Sequence, residues 1–127
     1  MLQVVAGIIA KGDQILLARR AAHKLLPGKW EFPGGKIEGE ESPEAALERE
    51  ILEEFGVIIK AGEYFTTSRH DYGDFQIELL AYFAAYDHGE FALTDHDRIA
   101  WVQKEELQNY DLAAADLPIV EVLMGQR

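Results

Sequence analysis

A single helix with a start signal and a stop signal constrains this 127-residue chain more than any other feature. Ser42 is a favourable N-cap residue, and Pro43 fits the first helical position. Gly56 suits the left-handed residue that follows a helix. We therefore predict a helix over residues 43–55 that packs one face against the rest of the fold.

The polar face of this helix is acidic. At about 100° per residue, Glu50, Glu53 and Glu54 fall on one arc, because residues three and four apart share a face. The apolar residues of the same turns lie away from that arc and are expected to pack on a sheet: Ile51, Leu52 and Phe55. Three like charges on one face repel each other, and a hard divalent cation such as Mg²⁺ compensates that repulsion. The alternative is a solvated acidic face without a metal.

Residues beside the acidic face fit the metal interpretation. Arg49 lies four residues before Glu53 and can hold that carboxylate by a charge-assisted hydrogen bond. Gly34 and Gly35 begin a predicted glycine-containing loop over 34–41 and allow close approach of the backbone. A carbonyl oxygen of that loop can then reach a metal ion.

The remaining segments carry strand, turn and helix signals in mixed order. Strands are predicted over 2–10, 14–19, 30–32, 57–67, 75–86 and 99–102, and loops over 21–29, 70–74 and 87–97. A helical turn is predicted over 104–109 and a closing helix over 116–124. This order indicates an α/β protein whose sheet is sandwiched between helices.

Composition limits the class of protein. The length fits one domain over 1–127, and no apolar run is long enough to span a bilayer. The chain has no cysteine and no recognisable secretory signal, which favours the cytoplasm. A net charge of −11 argues against binding of long nucleic acid, although a divalent metal can bring a small polyanion to an acidic site.

Segment 35–57 resembles the Nudix box, whose pattern is G-x5-E-x7-REUxEExGU with U aliphatic. The segment reads GKIEGEESPEAALEREILEEFGV and meets every defined position. Segments 17–20 (LARR), 30–36 (WEFPGGK) and 111–118 (DLAAADLP) are also similar to MutT-type Nudix enzymes. The resemblance implies an α/β/α sandwich with a mixed sheet, and Mg²⁺-dependent hydrolysis of nucleoside triphosphates to a monophosphate and pyrophosphate, with Mn²⁺ as a possible substitute.

The same resemblance implies the metal ligands. Glu53 and Glu54 would be the main ones, together with a backbone carbonyl of Gly34 or Gly35. Glu50 would bind metal, act as the base toward the attacking water, or do both.

Three further residues receive roles from the resemblance. Arg49 would orient the glutamates, and Glu41 would support the junction of loop and helix. Asp95 is the candidate for an additional acidic ligand from a later loop, and a solvated loop aspartate is the alternative.

Substrate contacts follow from chemistry and resemblance together. Arg20 and Lys36 are candidates to bind phosphates, and the nucleobase needs an aromatic platform. The candidates for that platform are Phe32, Tyr72 and Phe75, with Phe32 equally suited to the core.

Asp116 is the candidate for reading the base edge. MutT-type enzymes that act on 8-oxo-guanine nucleotides carry an asparagine there, whereas a branch that acts on CTP carries aspartate. An ionised aspartate only accepts hydrogen bonds, and an acceptor suits the exocyclic amine of cytosine. The sequence therefore favours a cytosine nucleotide, modified forms included, although Asp116 can also serve as N-cap of the last helix.

Other functions stay open at this point. They are an 8-oxo-dGTP pyrophosphatase, a hydrolase of nucleoside diphosphate derivatives such as ADP-ribose, and a nucleotide-binding module without catalysis. The four histidines have no regular spacing and are expected to be solvated or locally bonded: His23, His70, His88 and His96. The expected partner is a nucleotide, with no membrane, and the protein is expected to be a monomer or a homodimer.

Overall fold

The computed structural model describes residues 1–125 and is built around one seven-stranded mixed sheet. The strands are β1 (Leu2–Lys11), β2 (Gln14–Arg20), β3 (Trp30–Glu31), β4 (Gly34–Lys36), β5 (Ile58–Asp71), β6 (Gln76–His88) and β7 (His96–Gln103). The helices are α1 (Pro43–Phe55) and α2 (Leu117–Met124), with 3₁₀ turns at Lys104–Asn109 and Ala114–Asp116.

The centre of the sheet is the parallel pair of β1 and β6, and the other pairings are antiparallel. The main path runs β3-β2-β1-β6-β5, with β7 paired to β2 and β4 paired to β1. Strand β1 pairs with β2 near its C-terminal end and with β4 near its N-terminal end. The short strand β4 therefore fixes the backbone just before α1 to the middle of the sheet.

Two apolar layers form because side chains alternate across the strands. Val5 and Ile9 of β1 pack with the buried residues of α1, whereas Ala6 and Ile8 pack on the opposite face with α2. The predicted α/β/α sandwich is confirmed. Within residues 1–125, no helix has the length and apolar character needed to cross a membrane.

Helix α1 begins and ends where the sequence predicts. The Oγ of Ser42 accepts a hydrogen bond from the backbone N–H of Ala45 at 3.1 Å, and Pro43 occupies the first turn. Gly56 has a left-handed φ of 71°, and its N–H donates to the carbonyl of Leu52. The prediction that Leu52 packs on the sheet was wrong, because the contact face of α1 is narrow and Leu52 remains 49% exposed.

Three loop predictions were wrong at their ends because strand pairing extends into them. Residues Gly34–Lys36 form β4 against β1 rather than the start of a loop. Strand β5 continues to Asp71 because β6 pairs with it that far. Strand β7 begins at His96, inside the predicted loop over 87–97, since it pairs with β2 up to Arg20.

Candidate active site

A cleft of about 570 Å³ opens where β4, the polar face of α1 and the loop between β5 and β6 meet. Its polar lining includes the predicted metal-site residues Gly34, Gly35, Glu50, Glu54 and Asp95. The cleft is also lined by all the residues predicted to bind substrate: Arg20, Phe32, Lys36, Tyr72, Phe75 and Asp116. Among the predicted site residues, Arg49 and Glu53 do not line the cleft.

Glu50 lies against the backbone of β4. A Cβ added at Gly35 would overlap the carboxylate carbon of Glu50, so glycine leaves room for this side chain in its present orientation. A Cβ added at Gly34 would overlap the backbone of Val5, so the close pairing of β4 with β1 also requires glycine. Burial raises the pKa of Glu50, and the hydrogen bond from Arg49 partly offsets that shift.

Arg49 holds three carboxylates together. Its Nε and Nη2 donate to the two carboxylate oxygens of Glu41 at 3.0 and 2.6 Å, and its Nη1 donates to Glu50 and Glu53 at 3.1 Å each. Nη2 also donates to the carbonyl oxygen of Lys36 at 3.0 Å. The hydrogen bonds with Glu41 are the largest cause that raises the pKa of the guanidinium. One cation thus ties α1 to β4 and fixes the glutamates nearest to it.

Glu54 contacts a different partner, His96. One of its oxygens lies 3.4 Å from Nδ1 of His96, whose Nε2 lies 2.7 Å from an oxygen of Glu31. Glu31 in turn accepts from Nη1 of Arg20 at 3.1 and 3.2 Å. Burial raises the pKa of Glu54 to about 7, while the nearby His96 acts in the opposite direction.

The prediction that His96 is solvated or locally bonded was wrong. Its side chain is 4% exposed and stacks on Phe55 with ring centroids 5.1 Å apart. Glu31, also part of this chain of contacts, received no individual role from the sequence. Glu31 and His96 are far apart in the sequence, so helical or strand spacing could not predict their contact. The signals that bear on them are that Glu31 lies in the WEFPGGK segment and that His96 lies shortly before the predicted strand over 99–102.

Asp95 lies at the rim of the cleft. Its carboxylate is 3.6 Å from Nζ of Lys24 and 3.8 Å from Nε2 of His23, and its side chain is 38% exposed. Its negative charge is one of the causes that raise the pKa of Glu54, so the two carboxylates are near enough to interact. A role for Asp95 as a ligand stays a prediction.

The two basic candidates for phosphate binding differ in burial and in how firmly other groups hold their side chains. Arg20 is partly buried, and its guanidinium donates to Glu31 and to the carbonyl of Leu25. Lys36 is exposed at the end of β4 with its backbone held by Arg49. Both line the cleft, so an incoming phosphate can meet either one.

Aromatic side chains form another part of the cleft. Tyr72 and Phe75 stack with centroids 5.2 Å apart and an interplanar angle of 30°. The hydroxyl oxygen of Tyr72 accepts from the N–H of Ala115 at 2.9 Å, which joins this loop to the segment before α2. Phe32 is 3% exposed and belongs to the core while it also contributes to the lining.

Asp116 is buried at the same cleft, with 4% of its surface exposed. Asp116 occupies the N-cap position of α2, as the alternative interpretation expects, but its side chain makes no capping hydrogen bond there. Burial raises the pKa of its carboxyl well above the ordinary value, and the negative charge of Glu31 acts in the same direction. Burial therefore favours the neutral acid, which both donates and accepts hydrogen bonds.

The donor chemistry of the cleft suits a hard cation. Glu50, Glu54 and Asp95 offer carboxylate oxygens at the cleft, which Mg²⁺ prefers, and the space at Gly35 is filled by the Glu50 side chain. Within residues 1–125, no three acidic or histidine side chains already form a closed metal cage. Glu50 contacts Arg49 at 3.1 Å, and Glu54 contacts His96 at 3.4 Å.

The NUDIX domain family model matches residues 4–122. This chain belongs to the Nudix family. It is 39% identical over 127 residues to the CTP pyrophosphohydrolase of Escherichia coli (strain K12), across 100% of this chain and 94% of that protein. It is 32% identical over 123 residues to the 8-oxo-dGTP diphosphatase of the same strain, across 96% of this chain and 95% of that protein.

Solved structures agree with this membership. The solution structure of the E. coli ORF135 protein matches with a TM-score of 0.85 at 40% identity, covering 98% of this chain and 89% of that one. The MutT NUDIX hydrolase from Burkholderia pseudomallei matches with a TM-score of 0.79 at 26% identity, covering 96% and 97%. The chain is therefore a hydrolase of the Nudix family with the fold of the MutT-type enzymes.

Proposed function

We propose that this Nudix hydrolase uses Mg²⁺ to convert nucleoside triphosphates to a nucleoside monophosphate and pyrophosphate, and that it prefers cytosine nucleotides, modified forms included. The observation that carries the proposal is that one cleft is lined by carboxylates, basic side chains and aromatic rings. A volume of about 570 Å³ lies within the range of small-molecule sites. The cleft thus offers groups suited to each part of a nucleotide.

Glu53 and Glu54 are the proposed metal ligands, joined by a carbonyl of Gly34 or Gly35. Mg²⁺, when bound, neutralises phosphate charge and activates water, and Mn²⁺ is the expected substitute. Glu50 binds the metal, accepts a proton from the attacking water, or does both. Arg49 keeps Glu50 and Glu53 in place through its 3.1 Å hydrogen bonds, and Asp95 is a further ligand from the rim.

The phosphate chain is proposed to contact Arg20 and Lys36. The protein carries a net charge of −11, so these cations reduce the repulsion that a polyanion meets at an acidic cleft. Arg20 offers a guanidinium, whose planar fork matches phosphate oxygens, and its bond to Glu31 keeps it directed. The nucleobase then stacks on Phe32, Tyr72 or Phe75.

Asp116 is proposed to contact the base edge. A neutral carboxyl group can accept from the exocyclic amine of cytosine and donate to the adjacent ring nitrogen. The name of the E. coli relative at 39% identity, a CTP pyrophosphohydrolase, supports the cytosine preference.

The same neutral group supports a second candidate, 8-oxo-dGTP hydrolysis. Like an asparagine amide, a neutral carboxyl presents one donor and one acceptor, so it also fits a guanine edge. The difference between aspartate and asparagine at this position therefore separates cytosine from 8-oxo-guanine less clearly than the sequence suggests. The 8-oxo-dGTP diphosphatase at 32% identity supports keeping this candidate.

The first experiment tests the glutamates. Pyrophosphate release is measured with Mg²⁺ over a panel of canonical and oxidised nucleoside triphosphates, for wild type, Glu53→Gln and Glu54→Gln. Glu63→Gln, at an exposed site on β5, is the matched control. We expect a loss of about 100-fold or more in kcat for the two glutamine variants and none for the control, since even a group that only supports a metal ligand is worth about 10- to 100-fold. Equal activity in all four proteins would remove the glutamate assignment.

The second experiment tests base choice. We expect Asp116→Asn to shift the ratio of kcat/KM for CTP over dGTP and 8-oxo-dGTP, with the shift expressed mainly in KM. An unchanged ratio would exclude Asp116 from base selection. Release of AMP from ADP-ribose, without turnover of any triphosphate, would replace the proposed substrate class altogether.

The proposed partner is a free nucleotide rather than long nucleic acid or a membrane. Because such an enzyme acts on free nucleotides, we propose that it works in the cytoplasm. We also propose that it consists of a single domain and is a monomer or a homodimer.

A further inference from the structure

His96 lies between two carboxylates in the interior of the protein. Its Nε2 is 2.7 Å from an oxygen of Glu31, and its Nδ1 is 3.4 Å from an oxygen of Glu54. The three side chains are 4%, 17% and 22% exposed, respectively, in the order His96, Glu31 and Glu54. A buried imidazole with a carboxylate on each side is not required by packing alone, because an apolar ring would fill the same space.

The position of the imidazole ring is fixed by three independent restraints. His96 begins β7 and pairs with Arg20 of β2, where the register of the two strands shifts. Its ring stacks on Phe55 with an interplanar angle of 25°. Its Nε2 lies within hydrogen-bond distance of a Glu31 oxygen, and Nδ1 faces an oxygen of Glu54.

Two side chains, Arg49 and His96, divide the carboxylates of α1 between them. Arg49 contacts Glu50 and Glu53, whereas Glu54 has its contact with His96. Glu54 is also the glutamate of the pair Glu53 and Glu54 that faces the cleft. A glutamate side chain has three rotatable bonds, so without a fixed neighbour it would enter the cleft in several orientations.

We propose that His96 is a positioning residue, which holds the carboxylate of Glu54 in the orientation that binds the divalent metal, and that Glu31 anchors His96 for this task. The proposal rests on the function proposed above, because it needs Glu54 to be a metal ligand. It assigns a purpose to the contact between His96 and Glu54, which neither the phosphate contacts nor the base contacts explain.

The experiment measures Mn²⁺ binding to the nucleotide-free protein by electron paramagnetic resonance, together with the melting temperature and the Mg²⁺ dependence of hydrolysis. His96→Phe retains the ring on Phe55 but removes both nitrogens. His96→Gln retains a donor near the position of Nε2. His88→Phe is the matched control, because the His88 side chain is 71% exposed.

We expect His96→Phe to raise the Kd for Mn²⁺ about tenfold or more, with an intermediate increase in His96→Gln and none in the control. The Mg²⁺ concentration for half-maximal hydrolysis should rise in parallel. KM for the nucleotide at saturating metal should stay within about twofold of wild type, because the change affects the metal site.

An unchanged Kd for Mn²⁺ in folded His96→Phe would overturn the proposal and leave His96 as a core residue. If His96→Phe does not fold, His96→Gln decides, and an unchanged Kd there has the same meaning. Wild type that binds no Mn²⁺ and turns over no nucleotide would defeat the proposed function and the positioning role together. Normal wild type with unaffected variants would defeat the positioning role alone.

Discussion

At the scale of single residues, Gly34 and Gly35 are glycine for different physical reasons. Gly34 permits close strand pairing, since a Cβ there would overlap the backbone of Val5. Gly35 instead makes room for a side chain, because a Cβ there would overlap the carboxylate carbon of Glu50. Gly35 is thus tied directly to the candidate chemistry.

Gly35→Ala should therefore displace Glu50 while the fold persists. We expect kcat to fall at least about tenfold, because a small misplacement of a reacting group costs a large factor. The measurement is pyrophosphate release beside a thermal melt. Gly125→Ala is the control, since a Cβ there meets its nearest atom at an ordinary 3.5 Å. Full activity in folded Gly35→Ala would contradict the role of the Glu50 position.

Asp116 should make stability depend on pH. Its pKa is raised well above the ordinary value by burial, so the native state holds a proton that the unfolded state has lost. Linkage then requires the free energy of unfolding to fall as pH rises from about 4, the unfolded value, toward the raised native value. Asp116→Asn removes this loss because the amide is neutral throughout.

Melting temperatures measured between about pH 4.5 and 8 check this prediction. This range begins just above the pKa of an unfolded aspartate, which is about 4. The melting temperature of Asp116→Asn relative to wild type should increase with pH. Asp13→Asn, at an exposed hairpin position, should give a constant difference. A constant difference for Asp116→Asn as well would mean that the native carboxyl is not held neutral.

At the scale of elements, local signals were sufficient for α1 and insufficient for strand pairing. The N-cap, first-turn proline and C-terminal glycine of α1 are encoded within a few residues of each end. By contrast, β4 and the start of β7 depend on partners far along the chain, β1 and β2. The prediction for His96 was wrong for that reason, since its contacts with Glu31 and Glu54 exist only after β7 pairs with β2.

The candidate site divides in the same way. The acidic face and Arg49 follow from helical spacing, so the sequence predicts their proximity. The substrate candidates come from separate strands and loops, and the cleft brings Tyr72 and Phe75 to Asp116 only in the folded chain. The roles of these residues stay predictions until variants are measured.

The N-cap of α1 provides a test at this scale. Ser42→Ala removes the acceptor for the Ala45 N–H and should cost about 1 kcal/mol, which is about 3–5 °C in melting temperature. Ser42→Asn retains a capping oxygen and should stay near wild type. Activity at 25 °C should be preserved in both, because Ser42 does not line the cleft. A melting temperature of Ser42→Ala equal to that of wild type would show that the cap contributes nothing.

At the scale of the whole molecule, the fold brings an acidic helix and a set of aromatic side chains into one cleft. Strand β1 connects the two, because β4 pairs with one edge and β6 with the other. The net charge of −11 means that an anionic substrate gains little from long-range attraction. Under the proposed function, binding would therefore depend on short-range contacts with the metal, Arg20 and Lys36.

The central claim is that this Nudix hydrolase releases pyrophosphate from a nucleoside triphosphate in a metal-dependent reaction. Phosphorus-31 NMR of CTP incubated with the protein and Mg²⁺ tests it most directly. We predict that CMP and pyrophosphate accumulate in equal amounts, that EDTA stops the reaction, and that Mn²⁺ restores it. CDP and orthophosphate as products, or turnover that continues in EDTA, would contradict the account.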